Sequence, residues 1–173
     1  QNFVYVVADP ITREAAVIDP AWDIDRIIEL IEQDDLRLKA ALITHFHPDH
    51  LGGDLMGHHI QGVAELLGRD LKIKVHMHKS EVDFASRIAG LSRSDIVGTD
   101  GTEELQLGNI GVRFIHTPGH TPGSQCFLID GRLVSGDTLF IGACGRVDLP
   151  GSDAAQMYDS LNKAAYHPET RPG

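Results

Sequence analysis

The sequence predicts an α/β protein in which helices interleave with β-hairpins, an order that two facing sheets with helices outside would accommodate. Three observations point there. Apolar residues at helical spacing alternate with short strand-like runs along the chain. Several of those runs come in pairs joined by turn residues, which marks hairpins rather than a purely parallel sheet. No apolar run reaches the ~18 residues that span a bilayer. No repeat, low-complexity tract or linker divides the 173 residues, so a single domain over residues 1–173 is expected, with a sizeable core and no membrane partner.

The elements follow in order. FVYVVA (3–8) and AAVIDP (15–20) read as strands joined by the polar turn DPITRE, a hairpin. Asp23 is placed to cap a helix over 24–33, whose Ile24, Ile27, Ile28 and Ile31 share one face. AALIT (40–44) reads as a buried strand that delivers the chain to His45. The run from Gly53 to Gly68 reads as a helix, KIKVHMH (72–78) as a strand, and SEVDFASRIAG (80–90) as a capped helix ended by Gly90. Residues 91–105 read as mixed loop. A hairpin turns at Gly108-Asn109, and a second turns at Asp130-Gly131, the stronger signal of the two. TPGHTPG (117–123) and residues 137–153 are loops, and Ser152 or Asp153 caps a last helix over about 154–164.

Composition excludes some functions. The net charge is −10 and no basic run exists, whereas nucleic-acid binders need a basic face to neutralise phosphates. The two cysteines, Cys126 and Cys144, match no zinc-ribbon or disulfide framework, so a reducing, cytoplasmic setting is the default. No signal-peptide pattern opens the chain. Gln1 runs at once into the strand-like NFVYVV, which reads as a trimmed end.

Histidine is the outlier, with ten in the chain. Three of them fall in one turn with an aspartate, His45-x-His47-x-Asp49-His50, followed by Gly52-Gly53. A strand ending in H-x-H puts His45 and His47 on one side and Phe46 on the other, because strand residues alternate faces. Imidazole and carboxylate together suit zinc, iron or manganese. Downstream, TPGHTPGS holds His120 in a tight loop, and SGDTLF puts Asp137 just after a strand. Taken alone, His120 would be a surface histidine and Asp137 a turn residue. His58, His59, His76, His78 and His116 read as surface or satisfied core residues, although His116 could support the ligands from behind.

HFHPDH, TPGHTPGS and SGDTLF, in that order, resemble the metallo-β-lactamase-fold superfamily over nearly the whole chain. The resemblance implies a four-layer αβ/βα sandwich with a metal site at one edge. It implies that His45, His47 and His120 bind a first metal ion, that Asp49 and His50 bind a second, and that Asp137 bridges them. Two divalent ions, zinc by this reading, would share a hydroxide that attacks a carbonyl, with Asp49 also orienting the water as a catalytic residue. In the family a last histidine, commonly in a Pro-Gly-His segment, completes the second site. This chain ends at Arg171-Pro172-Gly173, so the intact protein is expected to continue with histidine. His167 is the one late histidine within the chain, and it lacks that motif.

Within the stretch from Gly136 to Leu161, GDTLF and Cys144-Gly145-Arg146 are similar to glyoxalase II, the hydroxyacylglutathione hydrolase, and CGRVD (144–148) is similar to persulfide dioxygenases. Arg146 is the candidate for gripping a substrate carboxylate, with a surface ion pair to Asp148 as the alternative. The glyoxalase II resemblance implies hydrolysis of a glutathione-type thioester, a small anionic thiol-derived substrate. The dioxygenase resemblance implies one iron held by His45, His120 and Asp137, a two-histidine, one-carboxylate set. A lactonase is a further alternative. Flavo-diiron proteins carry glutamate where His47 stands, which argues against that branch. The stretch from Leu55 to Gly98 matches neither reference closely and shapes either the pocket or a homo-oligomer contact.

Overall fold

The computed structural model describes residues 2–69 and 71–165. The chain starts with the expected hairpin, β1 (Tyr5–Ala8) and β2 (Glu14–Ile18), paired antiparallel. Helix α1 (Ile24–Gln33) is capped by Asp23, whose side chain accepts the Arg26 N–H, and it buries Ile24, Ile27 and Ile31. Strand β3 (Arg37–Leu42) leads into the histidine turn, where His47 precedes the four-residue helix α2 (Pro48–Leu51). Pro48 suits the first helical position, where its missing N–H costs nothing.

The next stretch corrects the helix expected over 53–68. Residues from Gly53 form a small hairpin, β4 (Gly53–Leu55) and β5 (His58–Ile60), and only α3 (Val63–Leu67) is helical. Ile60, Val63 and Leu66 are buried at near-helical spacing, which made the pattern look longer than it is. The backbone decides otherwise. Gly52 has φ +94°, and a Cβ there would lie 2.6 Å from the Gly62 Cα, so this crossing of two chain segments requires glycine. His58 and His59 therefore sit on an exposed hairpin, not a helix.

Strand β6 (Lys74–His78) runs into a single 3₁₀ turn at Lys79–Glu81 and helix α4 (Val82–Ala89), which ends at Gly90. The segment read as mixed loop contains a strand, β7 (Ile96–Thr99), too short and too broken by Gly98 to show a pattern. Then come β8 (Glu104–Leu107), β9 (Ile110–His116), β10 (Gln125–Ile129) and β11 (Arg132–Val134), with both hairpins where the turn residues predict them. Helix α5 (Ala154–Ala165) is capped by Asp153, whose Oδ1 accepts the Ala155 and Gln156 N–H groups.

Among the described residues, one sheet has the order β1-β2-β3-β6-β7 and the other β11-β10-β9-β8. The first is parallel from β2 to β7. Alternation along each strand sorts the core into layers. Ala16, Ile18, Ala40 and Leu42 face Leu107, Val112, Phe114 and Phe127 of the other sheet. Val17, Ala41 and Ile43 point the opposite way, onto Ile24, Ile27, Leu66 and Ala85 of the helices. Helix α5 joins the far side, where the Ser160 hydroxyl donates to the Pro118 carbonyl and the Lys163 ammonium donates to that of His116. This is the αβ/βα sandwich. The parallel strands β2, β3 and β6 all end at one edge, and the loops after β9 and β11 reach the same edge.

Candidate metal centre

That edge gathers the sequence-predicted histidines. His45 and His47 leave β3, His120 comes from the loop after β9, and Asp137 follows β11. Nitrogen atoms of His45, His47 and His120 lie within 4.8 Å of one another, as do ligand atoms of His45, His50 and Asp137. His45 belongs to both groups. The His120 Nε2 is 3.0 Å from the His47 Nδ1 and 3.4 Å from Asp137 Oδ2, and the His50 Nε2 is 3.3 Å from Asp137 Oδ1.

Neighbouring groups set which nitrogen of each ring is free. The Thr44 hydroxyl donates its one proton to Asp19 Oδ2 at 2.6 Å. Its oxygen, 3.0 Å from the His45 Nδ1, must therefore accept, which puts the His45 proton on Nδ1 and the lone pair on Nε2. The His50 Nδ1 donates to the same Asp19 Oδ2 at 2.8 Å. The His120 Nδ1 donates to the Arg146 carbonyl at 2.8 Å. Thus three rings are fixed from behind with Nε2 aimed into the cluster. The His45 and His50 Nε2 atoms are buried and make no well-formed hydrogen bond, the His50 Nε2 having only its ion-pair contact with Asp137. Buried polar atoms are rarely left so. A cation on this point would satisfy them, and the donor set, imidazole plus carboxylate, fits a divalent transition metal.

The electrostatics agree. Burial, then the other three imidazoles, hold His45 well below the usual histidine range. Burial, then His120, hold His47 down to about 4. Both imidazoles are neutral at neutral pH, the form in which histidine can bind a metal. Burial also pulls His50 down, but the Asp19 and Asp137 carboxylates outweigh it and lift His50 to about 10. There a proton takes the place that a metal cation would claim. Burial pushes Asp137 up, but His50 and His120 leave its carboxyl below the ordinary range.

Two candidates stand apart from the tight clusters. The Asp49 carboxylate is 3.9 Å from the His50 Nε2 and accepts the Asn2 amide at 2.8 Å, while the Asp49 carbonyl accepts from Asn2 and the Trp22 indole. The exposed Arg146 guanidinium forks onto Asp148, at 2.8 and 2.9 Å. What Arg146 gives the centre directly is its carbonyl, the acceptor for His120. His116 stacks on His78 at 4.0 Å and donates from Nε2 to the Pro122 carbonyl, so it touches the His120 loop. His167 lies outside the described residues, as does Gly173.

Sequence reading missed Asp19. Its carboxylate holds Thr44 by both the N–H and the hydroxyl, and holds His50 as well. Its own backbone sits at φ 51°, an uncommon conformation for a residue other than glycine. The one available signal was Asp19-Pro20 closing a buried strand, and that signal gained meaning only once β2 was known to lie beside β3.

The fold and this edge together define an α/β sandwich with a candidate metal centre at the ends of its strands. The chain belongs to the metallo-β-lactamase superfamily, whose family model, "Metallo-beta-lactamase superfamily", matches residues 1–168. It is 31% identical over 172 residues to the "Probable polyketide biosynthesis zinc-dependent hydrolase BaeB" of Bacillus velezensis, covering 98% of this chain and 70% of that protein. It is 34% identical over 168 residues to the hydroxyacylglutathione hydrolase of Shewanella halifaxensis, covering 97% of this chain and 58% of the relative. The chain thus spans little more than half of that relative's length. Among solved structures, ETHE1 from Myxococcus xanthus superposes with a TM-score of 0.73 and 27% identity, over 92% of this chain and 63% of the other. No helix among the described residues is long and apolar enough to cross a membrane.

Proposed function

We propose that the chain is the catalytic part of a metal-dependent hydrolase that cleaves a thioester of a small anionic thiol, of the glutathione type. The observation that carries this is the pair of buried Nε2 atoms of His45 and His50, neither in a well-formed hydrogen bond, turned toward His47, His120 and Asp137. His45, His47 and His120 would hold one ion. His50, Asp49 and Asp137 would hold a second, with Asp137 able to reach both groups. When bound, such ions acidify a water and polarise a carbonyl oxygen. Zinc is the metal we propose, in line with the zinc dependence in the Bacillus relative's name.

The chain's own residues do the positioning. Asp19 and Thr44 keep the His45 and His50 protons on Nδ1, and the Arg146 carbonyl does the same for His120. Asn2 steadies the Asp49 carboxylate, which is placed to orient a water beside His50. Arg146 is exposed, and its ion pair with Asp148 is solvated, so a substrate carboxylate can displace Asp148 at small cost. The name of the Shewanella relative supports a glutathione thioester as that substrate. The two free cysteines fit a reducing, cytoplasmic setting.

One observation favours a second reading. His45, His120 and Asp137 alone make a two-histidine, one-carboxylate set, which suits a single iron acting as a persulfide dioxygenase. Assays on S-hydroxyacyl-glutathione and on glutathione persulfide separate the two. Thioester cleavage without oxygen uptake is expected. Oxygen uptake with the persulfide and no thioester cleavage would overturn the hydrolase in favour of the dioxygenase.

A further inference from the structure

Glu81 belongs to no ligand group, yet it is 2% exposed and lies between the two loops that carry the three histidines of the first site. It stands on the 3₁₀ turn after β6, the parallel neighbour of β3, so it arrives beneath the histidine turn. Its Oε1 accepts the Gly123 N–H at 2.8 Å. Gly123 passes so close that a Cβ there would lie 2.5 Å from the Glu81 Cγ. The Thr121 hydroxyl and the Phe46 N–H also face the carboxyl group. Oε2 is buried with no close hydrogen-bond partner. Phe46 separates His45 from His47, while Thr121 and Gly123 follow His120. One carboxyl group therefore reaches both loops.

Glu81 is costly where it stands. Burial pushes its carboxyl up to about 7, even though Thr121, Gly123 and Phe46 all pull it down. An apolar side chain of similar size would fill the space without that penalty. Its return must lie in what it holds.

We propose that Glu81 is a positioning residue for the metal centre: its carboxyl group holds the His120 loop through the Gly123 N–H, turns its other oxygen toward the adjoining His45–His47 turn, and so sets the spacing of the three imidazoles. This rests on reading the histidine cluster as a metal site. Above about pH 7, where it is ionised, the carboxylate can accept from both loops at once, so the comparison below is made at pH 8. An amide can accept through one atom only and turns a donor toward the other loop, and alanine ties neither.

The test compares the parent with Glu81→Gln and Glu81→Ala. Zinc affinity is measured by competition with a chromophoric chelator, the melting temperature is taken on the metal-free proteins, and visible spectra are recorded after cobalt substitution. Glu81→Gln should bind zinc at least about tenfold more weakly, as loss of a group supporting metal ligands typically does. Its cobalt spectrum should change, and its metal-free melting temperature should match or exceed the parent's. Glu81→Ala should bind more weakly still. Parent-like affinity and spectrum in Glu81→Gln would overturn the proposal, and so would a metal-free Glu81→Gln that melts well below the parent. A parent that takes up neither zinc nor cobalt would overturn the metal-site reading, and this proposal with it.

Discussion

The same strands end in two different chemistries. In the middle of the sandwich Ala16, Ile18 and Leu42 meet Phe114 and Phe127, all apolar and nearly fully buried. At the strand ends Asp19, Thr44, His45, His50, Glu81 and His120 are buried as deeply, yet each is polar. The first region gains free energy from removing hydrocarbon from water. The second gives some back, because buried polar groups are tolerated only when paired and two of its nitrogens make no well-formed hydrogen bond. A fold that needed stability alone would continue the hydrocarbon to the edge. The contrast locates function where the molecule is least economical.

The largest expected effects break the two regions separately. Phe127→Ala should cost about 3–5 kcal/mol of stability in urea unfolding, from lost burial and a cavity, while zinc per folded molecule is unchanged. His120→Ala and Asp137→Ala should do the reverse, stripping metal and turnover together and leaving the unfolding of the metal-free protein within about 1 kcal/mol of the parent. Metal retained with full turnover in these variants would refute the ligand assignment.

A smaller effect follows from pH. The folded pKa of Glu81, about 7, lies above the ordinary glutamate value of 4.5, so the folded state holds this proton more tightly than the unfolded state. The associated stability is complete below about pH 4.5 and is lost as pH rises through about 7. Over that window the loss should be about 3 kcal/mol. Urea unfolding of metal-free parent and Glu81→Gln at pH 5 and pH 8 checks it: His45, His47 and His50 titrate alike in both, so the change from pH 5 to pH 8 should be about 2–3 kcal/mol less favourable in the parent than in the variant. An equal pH dependence in parent and variant would show that Glu81 is not the cause.

Asp19→Asn sharpens the comparison within the polar region. An amide has one acceptor oxygen where the carboxylate has two, so its NH2 must face either the Thr44 N–H or the Thr44 hydroxyl and His50, and the proton positions of the His45 and His50 rings are held less firmly. Metal affinity should fall about 10–100-fold with little change in the apolar core. The smallest effect belongs to Arg146→Ala. It should raise KM for an anionic thioester with kcat, metal content and melting temperature kept, since among the described residues its guanidinium pairs with exposed Asp148 alone. An unchanged KM would remove it from the substrate site.

The two regions were also unequally legible from sequence. Strand alternation and the Gly108-Asn109 and Asp130-Gly131 turns carry local information, so the second sheet could be read directly. The stretch 53–68 could not, because the crossing of Gly52 over Gly62 that stops a helix there is a tertiary contact. Strand β7 was hidden because Gly98 interrupts its four residues and polar loop residues flank them, whereas β1, as short, is a continuous apolar run. At the site, His45, His47 and His50 stand within one turn and announce themselves. Asp19 and Glu81 do not, because each reaches the ligand loops only through the parallel pairing of β2, β3 and β6.

The most direct test of the account is the metal content of the protein purified without added metal, by mass spectrometry, beside His120→Ala. The account predicts two zinc ions per chain in the parent and their loss in the variant. A parent that holds a single iron or no metal, or a variant that holds as much metal as the parent, would contradict it.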